Sequence, residues 1–171
     1  MDQFGHVQPD VAVDRIGDPW RTVVEFVVRS LMQRKGVRSV YIRGSIPRGL
    51  AIENVSDADF MYFSEVSFDS EDDALQKSAA ADFPFVNGLE LFRLDRVTFD
   101  RIHRRQRRPY FHMLLKTQCL FLAGDDIARN IEPFGIGPDL VSHIFSLAGE
   151  FSRLPNWLEE GRKTGTEQSA C

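Results

Sequence analysis

At 171 residues, with 43% apolar and 27% charged side chains and a formal net charge of −4, the chain has the composition of an ordinary soluble protein and not of a disordered one. The acidic balance argues against a global attraction to nucleic acid and leaves a local basic patch as the only route to it. Cys119 and Cys171 make neither a disulfide framework nor a Cys/His metal spacing, which fits a reducing cytosol. The polar, acidic start predicts no signal peptide, and the apolar stretch 111–123, broken by Lys116, is too short to span a bilayer.

Residues 1–17 lack periodicity and read as a loosely held lead-in. Asp18-Pro19 is a helix start, a capping side chain followed by proline at the first helical position. From Trp20 the residues Val23, Val24, Phe26, Val27, Leu31 and Met32 recur at helical spacing, and Gly36 supplies the stop. Strands are expected over 37–43 and 57–64, separated by a tight loop over 44–49. A helix is expected from about Ser70, its acidic run Asp69 to Asp73 read as a solvated helix N-terminus. Asn87-Gly88 marks a turn before a third strand, 89–94. Helices are then expected over 99–107, 109–122, 125–132 and 138–160, and the polar tail 161–171 reads as frayed. The result is an α+β chain: a core over 18–100 with a small mixed sheet backed by helices, followed by a helical C-terminal portion over 101–160.

Chemistry concentrates where the first strand ends. Tyr41-Ile42-Arg43-Gly44-Ser45 runs into a turn that brings backbone close to a phosphate, and Ser56-Asp57-Ala58-Asp59-Phe60 follows. On a strand, residues two apart share a face, so Asp57 and Asp59 point into one site. Paired carboxylates repel unless a cation lies between them, and a hard divalent ion such as Mg2+ suits that role. The competing assignment, a turn or capping pair at a strand edge, is weakened by the Gly-Ser turn just before it.

Gly44-Ser45, Arg48-Gly49 and Asp57-Ala58-Asp59 together resemble the signature of the nucleotidyltransferase fold, the DNA polymerase beta superfamily. The likeness is to its small bacterial members, the minimal nucleotidyltransferases and aminoglycoside-type adenylyltransferases. Leu115 to Asp126, read as a lysine-containing helix ending in Gly-Asp-Asp, adds to it. The resemblance implies a third carboxylate from a later strand, Glu90 with Asp95 as the rival, completing a site for one or two Mg2+ ions. It implies transfer of a nucleoside monophosphate, AMP from ATP, to a hydroxyl on a small molecule or a protein, with release of pyrophosphate. Asp57, Asp59 and Glu90 would be catalytic and metal-binding, Gly44 and Ser45 phosphate-binding.

Two further contacts stay open. Arg48 reads either as a phosphate ligand or as a surface ion-pair partner, and Lys116 either as a nucleotide contact or as an exposed-face lysine. The basic run 101–108 is a solvated helix end or a guide for a polyanion. About forty residues follow Pro133, fewer than in antibiotic-modifying relatives, so the acceptor pocket is expected to be incomplete, shared in a homodimer, or built for a macromolecule. The alternative function is a non-catalytic, antitoxin-like nucleotide-binding module acting through a toxin-like partner.

Overall fold

The computed structural model describes residues 2–95, 109–133 and 135, all within one compact unit, Met1–Gly135. The expected helices over 99–107 and 138–160, the basic run, the tail and Cys171 lie outside the described residues.

Helix α1 spans Trp20–Met32 and buries the stripe Trp20, Val23, Val24, Val27 and Leu31. Strand β1 (Val37–Arg43) leads through a 3-10 turn, Ile46–Arg48, to strand β2 (Ala58–Ser64). Helix α2 covers Asp69–Asp82, and strand β3 covers Leu89–Leu94. Helix α3 (Pro109–Thr117), strand β4 (Leu120–Gly124) and a second 3-10 turn, Ile127–Asn130, complete the described elements. The strands form one sheet in the order β3-β2-β1-β4. β1 runs antiparallel to both β2 and β4, and β2 runs parallel to β3. This mixed sheet with helices is the α+β architecture expected from the sequence.

Both faces of the sheet are covered, so its central strands are apolar without a clean alternation. On one face Val40, Ile42, Ala58, Phe60 and Tyr62 pack with α1 and with Leu75 of α2. On the other, Tyr41, Met61, Phe63 and Leu94 pack with Leu115, Cys119 and Ala128. Cys119 is core, as expected, and burial pushes its thiol up to about 12, which makes it an inert packing group.

Several local expectations are corrected. Helix α3 stops at Thr117, whose hydroxyl donates back to the Met113 carbonyl at 2.7 Å, and 120–124 continues not as helix but as β4, paired with β1. A short apolar run satisfies either period, and the free edge of β1 decides it. Residues 125–132 form only the 3-10 turn, which Asp126 caps by accepting from the Ala128 amide. Asp18 does not cap α1; Pro19 holds that position without a side-chain bond. Asp72 is no solvated end of α2: it pairs with Arg34 and accepts a 2.7 Å hydrogen bond from Tyr62.

Gly124 is fixed by close approach. Its φ is +88°, and a Cβ there would lie 2.0 Å from the Arg38 carbonyl oxygen. The two aspartates after it hold β4 to β1: Arg38 pairs with Asp125 at 2.9 Å, and the Tyr41 hydroxyl donates to Asp126 at 2.9 Å. The Gly-Asp-Asp segment therefore works as a clamp in the fold.

Among the described residues no helix is long and apolar enough to cross a membrane.

Candidate active site

Register assembles the site. Arg43 on β1 pairs with Asp59 on β2, and Asp59 pairs in turn with Glu90 on β3. Residues directly paired across strands share a face, so one row across three strands carries Arg43, Asp59 and Glu90. Asp57 stands just before β2 and joins them: one ligand atom from each of Asp57, Asp59 and Glu90 lies within 4.8 Å of the others.

The loop between β1 and β2 is braced. Ser45 accepts from the Arg48 and Leu50 amides, and the Ser56 hydroxyl accepts from the Ile52 amide at 2.9 Å. The Asn87 amide donates to the Ser56 carbonyl at 3.0 Å, and the Ala58 amide to the Gly88 carbonyl at 2.8 Å. Asp57 is thus held between two anchored neighbours. Gly44, at φ +85°, sits against Asp59; a Cβ there would come within 3.0 Å of the Asp59 Oδ2. The missing side chain lets the turn lie close to the carboxylate, which any larger residue would crowd.

Burial raises the Asp59 carboxyl to about 6, against the pull of Arg43 and with the charges of Asp57 and Glu90 adding to the rise. Its Oδ1 is buried and, among the described residues, has no hydrogen-bond partner. An orphaned, buried carboxylate oxygen facing two more carboxylates matches the donor set of a hard divalent cation: all oxygen, converging, under-satisfied. The residues present fit Mg2+.

The remaining candidates lie apart from this cluster. Arg48 turns to the N-terminal segment and pairs with Asp10 at 3.0 Å. Lys116 donates to the Ala128 and Arg129 carbonyls at 3.2 Å each, tying α3 to the 3-10 turn. Asp95 follows the end of β3 and pairs with Arg93 at 3.6 Å, whereas Glu90 stands opposite Asp59. Arg43 is the site residue that sequence reasoning missed. Its guanidinium lies 3.6 Å from Asp59 and 3.9 Å from Glu90. Its two-residue spacing from Tyr41 gave a face, but only strand pairing shows what that face meets. Beside Glu90 opens a cavity of about 410 Å3 whose lining includes Arg43, Met61, Phe92 and Leu114.

No protein-family model and no curated protein matches the chain. Solved structures give loose likenesses. A structure of the toxin–antitoxin pair MntA–HpeT, in mutant form, aligns at 12% identity and a TM-score of 0.39, over 88% of this chain and 98% of that one. A tri-AMPylated HEPN toxin of Shewanella oneidensis in complex with its MNT antitoxin gives 12% and 0.37, over 83% and 94%. A toxin–antitoxin structure with AMP-PNP gives 14% and 0.39, over 86% and 98%. Likenesses this loose do not decide what the chain does; its own residues must.

Proposed function

We propose that this chain is a Mg2+-dependent nucleotidyltransferase that moves a nucleoside monophosphate, AMP from ATP, onto an acceptor hydroxyl and releases pyrophosphate. The observation that carries the reading is the convergence of Asp57, Asp59 and Glu90 within 4.8 Å, directly beside a glycine turn whose missing side chain lets the backbone lie against Asp59.

Asp57 and Asp59 would hold the metal, with Glu90 as third ligand. Once bound, the ion would supply positive charge at the phosphate oxygens as charge builds there. The backbone at Gly44 and the hydroxyl of Ser45 receive the outer phosphates, where a glycine permits close contact. The acceptor enters from the cavity beside Glu90, so that its oxygen reaches the α-phosphorus opposite the leaving pyrophosphate. As the new P–O bond forms and the bond to pyrophosphate breaks, Glu90, where it is not itself a direct ligand of the ion, would take the hydroxyl proton; it is the most exposed of the three paired positions on the row. Arg48 and Lys116 are already engaged, by Asp10 and by backbone carbonyls, and each would have to leave its partner to meet a phosphate.

The test is incubation with Mg2+, ATP labelled at the α-phosphate, and panels of small-molecule and protein acceptors. Label in a covalent product with the wild type and none with Asp57→Asn supports transfer. Tight nucleotide binding with no covalent label against any acceptor favours the alternative, a nucleotide-binding module acting through a partner. Absence of both overturns the site.

A further inference from the structure

Arg43 carries a charge opposite to that of the carboxylates beside it. It ends β1 on the same row as Asp59 and Glu90, and a single guanidinium nitrogen, Nη2, is 3.6 Å from the Asp59 Oδ1 and 3.9 Å from the Glu90 Oε2. At those distances the contact is Coulombic and not a directed hydrogen bond. This agrees with the Asp59 Oδ1 remaining, among the described residues, without a hydrogen-bond partner although buried. The arginine therefore offsets part of the cluster's charge without being latched to it. Its side chain is 40% exposed, and it borders the 410 Å3 cavity, so it has somewhere to go.

We propose that Arg43 is the resident counter-ion of the metal-free site and that a divalent cation and the Arg43 guanidinium occupy the carboxylates by exchange. The inference rests on the metal reading above. A cation held by Asp59 and Glu90 would meet a fixed positive charge a few ångströms away, and like charges at that range repel strongly in a half-buried site. Metal entry therefore moves Arg43 off the carboxylates into the cavity; metal loss brings it back and relieves the repulsion among three converging acids. Arg43 acts here as a positioning residue through Asp59 and Glu90, tuning how readily the empty site accepts a metal.

The experiment is a Mn2+ titration, without nucleotide, of wild type, Arg43→Gln and Arg43→Lys, alongside thermal melting in EDTA and in Mn2+. Arg43→Gln is expected to bind Mn2+ about tenfold more tightly than wild type, as removal of a unit charge near the site implies. It should also melt lower in EDTA and recover in Mn2+. Arg43→Lys, which keeps the charge, should remain near wild type in affinity. Equal or weaker Mn2+ binding by Arg43→Gln overturns the exchange while leaving the metal site standing; no Mn2+ binding by wild type or variant overturns the metal reading as well. If Arg43→Gln does not fold, the guanidinium NMR signals of isotope-labelled wild type decide, assigned with Arg43→Lys. A shift of the Arg43 signal on Mg2+ addition supports the exchange, and an unmoved signal at saturation overturns it.

Discussion

Asp59→Asn should stabilise the metal-free protein while disabling it. The carboxyl is raised from 3.8 to about 6, with burial the largest cause and Arg43 only partly offsetting it. A carboxylate whose folded pKa is raised binds its proton more tightly folded than unfolded. Its contribution to stability is therefore lost as pH climbs from about 4 through about 6, and the penalty is full above that. The interval corresponds to about 3 kcal/mol as an upper figure. Asparagine carries no charge to desolvate, so the variant should gain much of that amount over wild type near pH 8 in EDTA. The gain should shrink towards zero below about pH 4, where both states of the wild type are protonated. Urea or thermal melts of both proteins across that pH range are the assay. Added Mg2+ should raise the melting point of wild type alone, because only a protein that binds the ion in its folded state is stabilised by it. If Asp59→Asn is no more stable than wild type at pH 8 in EDTA, Asp59 is not held as a strained anion and the reasoning fails. Such a gain would mark the aspartate as kept for binding at a cost in stability.

Three other variants separate structural from functional roles. Gly124→Ala places a Cβ 2.0 Å from the Arg38 carbonyl at positive φ; it should cost about 3 kcal/mol or more, read as a large fall in melting temperature. Lys116→Ala removes two bonds to the Ala128 and Arg129 carbonyls; it should lower stability by about 1 kcal/mol with ATP affinity changed less than twofold, measured by calorimetry. Glu90→Gln should lower turnover at least a hundredfold, the scale of a lost general base, while changing ATP affinity far less; unchanged turnover would shift the role of the third carboxylate towards Asp95.

What the sequence made legible follows from which forces are local. β1 and β3 fall where alternation and turn residues put them, and β2 begins at Ala58, one residue after the expected start. The convergence of Asp57 and Asp59 agrees with their two-residue spacing, although Asp57 stands just before β2 and is placed by its anchored neighbours Ser56 and Ala58. β4 was not legible. Leu120 to Ala123 is too short for its period to distinguish strand from helix, and its state is settled by β1, some eighty residues earlier in the chain. Asp72 was misread for the same kind of reason: its composition says solvated helix end, but Arg34 and Tyr62 reach it from α1's C-terminal side and from β2. Arg43 lies beside the Gly-Ser turn in plain view, yet its neighbours Asp59 and Glu90 come from register, which no single segment encodes. Arg48 and Lys116 show the converse, where a charge beside a motif need not belong to the site.

The central claim is that Asp57, Asp59 and Glu90 hold a metal-bound nucleotide, and calorimetric titration of ATP tests it directly. Binding by wild type in Mg2+, lost in EDTA and lost in a folded Asp57→Asn variant, is the result expected; equal ATP binding under all three conditions would contradict it.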